Sequence, residues 1–182
     1  MKSIEDEFQQ AVEPLIAGKI AVLSAESKSV IDRMYALWYM RSRFRELEYQ
    51  EVQLNGIIGG DLSKEQEENL ESKGYLFARK NGAMPARQIN AVALQIRADH
   101  YARDLAISIT RWGVIVAQSG EFIVPDVPWH GILPLTPQIA LVQSSPDGMI
   151  TEQNLSQINI ALRERSLDYF FASDFSKCPF SP

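Results

Sequence analysis

The sequence predicts an α+β fold, with a helical amino-terminal part of three to four helices followed by a small, largely antiparallel sheet with one more helix. Apolar residues recur at helical spacing as far as about residue 110, and then alternate at Trp112, Val114 and Val116. With 182 residues, 46% of them hydrophobic, the chain can bury the core of one domain. We therefore predict a single domain over 1–182, mainly helical in 1–110, with strands and one helix in 111–175 and a tail in 176–182.

Serine caps and apolar spacing mark the first two predicted helices. Ser3 is a candidate cap for a short amphipathic helix that ends by Gly18. A longer helix is predicted to start at Ser24 or Ser27 and to fade near Tyr49. Its apolar residues make it the main core helix of the amino-terminal half.

Glycines and prolines delimit the next part of the chain. Residues 52–62 contain three glycines and predict a loop or a short hairpin. Ser63 and Gln66 form a capping-box pattern for a polar helix that ends at Gly74. Another long helix is predicted from Pro85 to about Ile109, because proline is favoured in a first turn.

Short apolar runs predict the strands of the carboxy-terminal part. The alternation at Trp112 is followed by compact runs at 122–124 and 139–142. Thr151 is placed to cap one more helix, and residues 169–172 predict a last strand. Helices followed by closely spaced strands are typical of α+β domains.

Composition limits the classes of function. The net charge of −5 argues against sequence-independent binding to nucleic acid. Cys178 is the only cysteine, so no intrachain disulfide forms, and we expect a cytoplasmic protein. His100 and His130 are the only histidines and lie on different predicted elements, so we expect no metal site. The sequence carries no Gly-x-Ser-x-Gly, P-loop or Gly-x-Gly-x-x-Gly motif, so we expect no cofactor, and no apolar run of about 20 residues that would suit a membrane.

The stretch EFIVPDVPWHG places one acid between two prolines. Proline fixes its own φ and biases the preceding residue toward extended backbone, so Asp126 is predicted to lie on a stiff segment at a strand end. Such a carboxylate can be a general base, a metal ligand, or a cap that accepts backbone hydrogen bonds. We favour the cap, because Asp readily bonds local backbone in turns.

Two neighbours of this acid are further candidates. His130 titrates near neutral pH and would suit proton transfer if it folded back onto Asp126. The alternative is a partly exposed histidine beside a packed Trp129, and we favour it because no second-shell partner can be identified in the sequence.

An arginine-aromatic segment, YMRSRFR, is a candidate for phosphate or nucleic-acid contact. Arg41 and Arg45 share one helix face, whereas Arg43 lies about 200° round the helix from Arg41. Glutamates follow directly, so a solvated helix end is the favoured interpretation. An arginine from this helix that reached Asp126 would form an ion pair or half of an anion pocket.

The motifs FIVPDVP, ILPLTPQIALV and DYFFAS, together with Asn159, resemble the carboxy-terminal core of the bacterial family called domain of unknown function 4238. That family typically shows a strand ending in S-D-N-P, a P-L-S/T-P segment, a helix with an asparagine and a short final strand. An arginine is common in its mid-region helix, so Arg41 or Arg43 corresponds to it. The matching positions are Asp126, Pro128, Pro134, Leu135, Thr136, Pro137 and Asn159.

The chain departs from that family in two places. Nothing like the usual H-Y-V-P opening precedes Glu5, and P-D-V-P replaces S-D-N-P, which loses a hydroxyl and an amide. The resemblance therefore implies a fold and a set of positions, and no reaction. We expect a non-enzymatic module that binds a protein or a small acidic or polar ligand, with Arg41, Arg43, Asp126, Trp129, His130, Thr136 and Asn159 as its candidate pocket. The alternatives are a hydrolase or nuclease-like enzyme that uses Asp126, His130 and an arginine, and a nucleic-acid-binding regulator.

Overall fold

The structure is a computed structural model that describes residues 2–18, 23–45 and 51–180. Helices precede the sheet, and one helix follows it, so the predicted α+β class is confirmed. The helices are α1 (Lys2–Ile16), α2 (Ala25–Arg43), α3 (Lys64–Ser72), α4 (Ala86–Ser108) and α5 (Glu152–Arg165), with a 3₁₀ turn at Phe175–Lys177. The strands are β1 (Val52–Gln53), β2 (Ala83–Met84), β3 (Trp112–Ala117), β4 (Val124–Pro125), β5 (Ile132–Pro134), β6 (Ile139–Gln143), β7 (Gly148–Ile150) and β8 (Phe170–Phe171).

The largest sheet has the strand order β5-β6-β3-β7. Strand β6 pairs antiparallel with β3 and β5, whereas β7 pairs parallel with β3, so the sheet is largely antiparallel, as predicted. Two ribbons stand outside it, β1-β2 and β4-β8, and both are antiparallel. The β4-β8 ribbon joins the corner at Asp126 to the end of the chain.

The capping predictions at three helices are confirmed. The Ser63 side chain accepts a hydrogen bond from the Gln66 N–H, and the Gln66 side chain accepts one from the Ser63 N–H. Thr151 Oγ1 accepts the Asn154 N–H, and Ser24 Oγ accepts the Ser27 N–H. Each bond satisfies an N–H that the helix itself leaves unpaired.

Other element predictions need correction. Ser3 does not cap α1, which already begins at Lys2. Of the two alternatives predicted for 52–62, the short hairpin is wrong, because β1 pairs with the distant β2, whereas 54–62 form a loop with one isolated bridge at Gly60. The second helix ends at Arg43, and the predicted end near Tyr49 lies outside the described residues. The apolar run 122–124 contributes only its last residue to β4, and the strand predicted at 169–172 is limited to Phe170–Phe171.

The chain divides into two compact units. The first comprises Met1–Arg43 and Ala98–Pro182, and the second comprises Phe44–Arg97. The first unit holds two clusters of buried apolar side chains, one around Ile31, Tyr35 and Leu141 and one around Phe122, Ile123 and Leu162. Both clusters include side chains of the largest sheet, and Phe170 of the β4-β8 ribbon packs against the second cluster.

The second unit is held by charged side chains. Glu67 is buried and contacts two arginines, with its Oε1 2.7 Å from Arg79 Nε and its Oε2 2.9 Å from Arg87 Nη2. Arg87 also pairs with Glu71, and Glu71 accepts a hydrogen bond from the Gln88 side chain. The Arg79 hydrogen bond is the main cause that lowers the pKa of Glu67.

Candidate functional site

Asp126 links the segment between Pro125 and Pro128 to the segment after α5. One carboxylate oxygen accepts the Leu167 N–H and the other accepts the Asp168 N–H, both at 2.9 Å. The Asp126 N–H in turn donates to the Tyr169 carbonyl. The carboxylate therefore accepts backbone hydrogen bonds, but its donors lie more than 40 residues along the chain rather than in the next turn. These contacts fix the ribbon to the end of α5.

His130 lies in a tight turn next to Trp129. It is exposed and has a φ of 44°, and its ring meets the Trp129 ring edge-on at 4.2 Å between centroids. The Gly131 N–H beside it donates to the Tyr35 hydroxyl at 2.9 Å. Burial raises the pKa of Tyr35 to about 12, so this phenol stays neutral and holds the turn. The contacts described for His130 are thus with its neighbouring ring, and those of Asp126 are with distant backbone.

Asn159 occupies a fully buried position on α5. Its Oδ1 accepts the Ile123 N–H at 3.1 Å, and its Nδ2 donates to the carbonyl oxygens of Glu121 and Pro179. One amide therefore satisfies backbone groups of the strand leading into the corner and of the carboxy-terminal tail. The Asn159 amide joins these segments and at the same time has the hydrogen-bond partners that a buried polar group needs.

The arginines predicted for the pocket lie on the last turn of α2. Arg41 forms an ion pair with Glu5 of α1, and Arg43 is exposed. The Arg41 pair is itself about two-fifths exposed at each side chain, which gives it little energetic weight.

Thr136 forms one wall of an apolar groove. Its Oγ1 accepts the N–H groups of Gln138 and Ile139, which closes a turn between Pro134 and Pro137. The Phe122 N–H donates to the Pro137 carbonyl at 2.7 Å and ties this turn to the ribbon. The groove has a volume of about 290 Å³ and is lined by Phe122, Val124, Pro134, Leu135, Thr136, Pro137, Phe171, Ala172 and Ser173.

One face of the ribbon forms the opposite wall of the groove. Val124 lies across from Phe171 in the antiparallel register. Because side chains alternate between faces, Phe122 and Ser173 lie on the same side as that pair. The groove therefore lies between one face of the ribbon and the turn from Pro134 to Pro137.

Exposed apolar side chains continue from the groove along the same segment. Leu167, Tyr169 and Phe171 are 64%, 61% and 53% exposed. Tyr169 and Phe171 are two residues apart and share one face of the extended chain. Sequence reasoning located Thr136 but missed Phe171, because an aromatic run in a short strand indicates core. Leu167, Tyr169 and Phe171 are therefore apolar side chains that the described fold leaves exposed.

Cys178 and the charged groups near it are engaged in the fold. Cys178 is buried, and burial raises the pKa of its thiol. Glu121 is also buried, accepts the Asp174 N–H and lies 3.6 Å from the Lys177 ammonium. Among residues 2–18, 23–45 and 51–180, no group of three or more His, Cys, Asp or Glu side chains is arranged to hold a metal ion. None of the helices in that part of the chain combines the length and apolar character needed to cross a membrane.

Comparisons with known proteins gave no match, whether to a protein-family model, to a curated protein or to a solved structure.

Proposed function

We propose that this protein is a non-enzymatic binding module whose apolar groove receives an extended segment of a partner protein. The observation that carries the proposal is the groove between the ribbon face and the turn at Thr136, with exposed Phe171 at its rim. A volume of about 290 Å³ suits one or two apolar side chains, and aromatic residues are frequent anchors of binding energy at interfaces.

The backbone of β8 supports an extended ligand. Pro125 lies opposite Phe170 and has no N–H to donate, whereas the Asp126 N–H donates to Tyr169. Hydrogen-bonded and non-hydrogen-bonded pairs alternate in an antiparallel ribbon, so the peptide groups of Phe170 point away from β4. Among the described residues β8 pairs only with β4. A peptide that added to this outer edge would place alternate side chains on the groove face.

The competing enzyme hypothesis has less support from the geometry. Both oxygens of Asp126 already accept backbone hydrogen bonds, and the His130 ring meets Trp129. A general base needs a lone pair within reach of the proton that it removes. Membership of the domain of unknown function 4238 family, a bacterial source and a cytoplasmic location are part of the same proposal. They rest on the motifs around Asp126, Thr136 and Asn159 and on the single cysteine.

A displayed peptide library selected on the purified protein tests this function. We expect peptides with alternating apolar residues, and we expect Phe171→Ser to weaken their binding about tenfold or more, since it removes an aromatic anchor. Ile107→Ser is the matched control, because Ile107 is 86% exposed on α4 and lines no part of the groove. Thermal melting of both variants checks that the fold is retained.

N-methylation of the selected peptide tests the edge geometry. Blocking alternate peptide N–H groups should abolish binding in one register and leave it in the other. Selection of no apolar peptide, or equal binding by wild type and Phe171→Ser, would overturn the proposed function. Insensitivity to N-methylation in both registers would overturn the strand-addition mode.

A further inference from the structure

A second cavity, of about 240 Å³, is lined by polar side chains of α2 and α4. Helix α2 contributes Ser29, Asp32 and Arg33, which share a face because they are three and four residues apart. Helix α4 contributes Asp99 and Arg103 together with the methyl groups of two alanines. The cavity belongs to the first unit and has no lining residue in common with the apolar groove.

One acidic side chain of this cavity, Asp32, is held rigidly. Asp32 is only 2% exposed, and its Oδ1 accepts the Trp112 Nε1–H at 2.7 Å. Its Oδ2 accepts a hydrogen bond from the Lys28 ammonium, also at 2.7 Å. A carboxylate offers about four acceptor positions, so the bonds to Trp112 and Lys28 leave capacity for a ligand. Burial and these bonds fix the carboxylate before anything binds.

The arginine and serine side chains that line the cavity carry hydrogen-bond donors that the described fold does not use. Arg103 has no ion pair or hydrogen bond with any residue in 2–18, 23–45 or 51–180, and neither does the Ser29 hydroxyl. Arg33 pairs with Glu7 through Nη1, 2.9 Å from Oε2. A guanidinium has five N–H donors, so Arg33 and Arg103 together offer several hydrogen bonds to an anionic group.

We propose that this cavity binds a small zwitterion of the amino-acid type, with its ammonium group toward the carboxylates and its carboxylate toward the guanidinium groups. A simple anion would meet Asp32 and Asp99, and a simple cation would meet Arg33 and Arg103, so each would pay a like-charge penalty. A ligand that carries both charges close together can pair with both kinds of charged side chain in the lining. Ser29 can hydrogen-bond either end. This site does not depend on the groove or on its proposed partner.

The test uses the full chain and the free L-amino acids as probes, first by thermal shift and then by calorimetry. We expect at least one amino acid to bind. We expect its decarboxylated amine and its deaminated acid to bind about tenfold more weakly or worse, since each loses a charge-assisted interaction. Arg103→Ala, a change at an exposed side chain, should also weaken binding of the amino acid about tenfold. Ser29→Ala should weaken it less, because a neutral hydrogen bond is lost.

Arg165→Ala is the matched control, because it makes the same change in net charge at an exposed position of α5 outside the cavity. Binding that survives in Arg165→Ala and is lost in Arg103→Ala supports the site. Three results would overturn it: no amino acid binds at millimolar concentration, the amine or the acid binds as tightly as the amino acid, or Arg103→Ala binds like wild type.

Discussion

Each of the two units contains a buried polar side chain that joins separate segments of the chain, and these two side chains use different kinds of contact. In the first unit, a neutral amide on Asn159 connects backbone groups at Ile123, Glu121 and Pro179 above an apolar cluster. In the second, described at residues 44–45 and 51–97, the buried Glu67 is paired with two arginines, and neither apolar cluster includes a described residue of this unit. Neutral contacts are insensitive to pH and salt, whereas charged contacts are not. The comparison teaches that two buried polar side chains of one chain can respond differently to pH and salt.

The largest expected effect is that of Asn159→Ala. The substitution leaves the Ile123 N–H and the Glu121 carbonyl buried without their partner, which should cost the first unit about 3 kcal/mol or more. All three tryptophans, Trp38, Trp112 and Trp129, lie in this unit, so urea unfolding followed by tryptophan fluorescence reports it alone. Asn154→Ala, at an exposed position of the same helix, is the control. A decrease in the free energy of unfolding of less than about 1 kcal/mol would contradict the role assigned to the Asn159 amide.

Glu67→Gln should have the next largest effect, confined to the second unit. The change keeps the size of the side chain but removes the charge that pairs with Arg79 and Arg87, at a cost of about 2 kcal/mol. Hydrogen exchange of the amides in 64–89 measures it, and the tryptophan transition should not move. Glu68→Gln is the control, since Glu68 is 62% exposed and its pair with Lys64 is 3.8 Å long. Equal effects of the two substitutions would contradict the role assigned to the buried charge of Glu67.

The smallest predicted effect is the pH dependence of this same contact. The pKa of Glu67 is lowered from 4.5 in the folded protein, chiefly by the Arg79 hydrogen bond. A depressed folded pKa contributes stability that is present above the unfolded pKa and is lost as pH falls through the folded value. The difference in amide protection between wild type and Glu67→Gln should therefore shrink on acidification below 4.5. NMR spectra of both proteins over that range measure it, and a difference that stays constant would count against the charge as its source.

Local signals account for the parts of the fold that the sequence predicts well. Ser63, Gln66 and Thr151 act on N–H groups within three residues, so their patterns identify the helix starts directly. The predicted change from helical to alternating spacing near Trp112 coincides with the start of β3. Both signals depend on neighbours in the chain, which a single sequence displays.

Distant pairing accounts for what could not be predicted. Asp126 can be identified as a backbone acceptor from its prolines, but nothing in the sequence indicates that Leu167 and Asp168 are the donors. Phe171 is apolar in a short strand, and its exposure depends on its pairing with Val124. The polar cavity needs α2 and α4 to bring Asp32 and Arg103 together. Each of these features is created by contacts between segments far apart in the chain.

The β4-β8 ribbon has a consequence for synthesis of the protein in the cell. Val124 is made 47 residues before its partner Phe171. At roughly 5–20 residues per second, translation leaves the β4 edge without this partner for roughly 2 to 9 seconds. During that interval the apolar wall at Phe122 and Val124 faces the nascent-chain environment, where chaperones act on such surfaces. The apolar groove is therefore completed only after β8 has been synthesised.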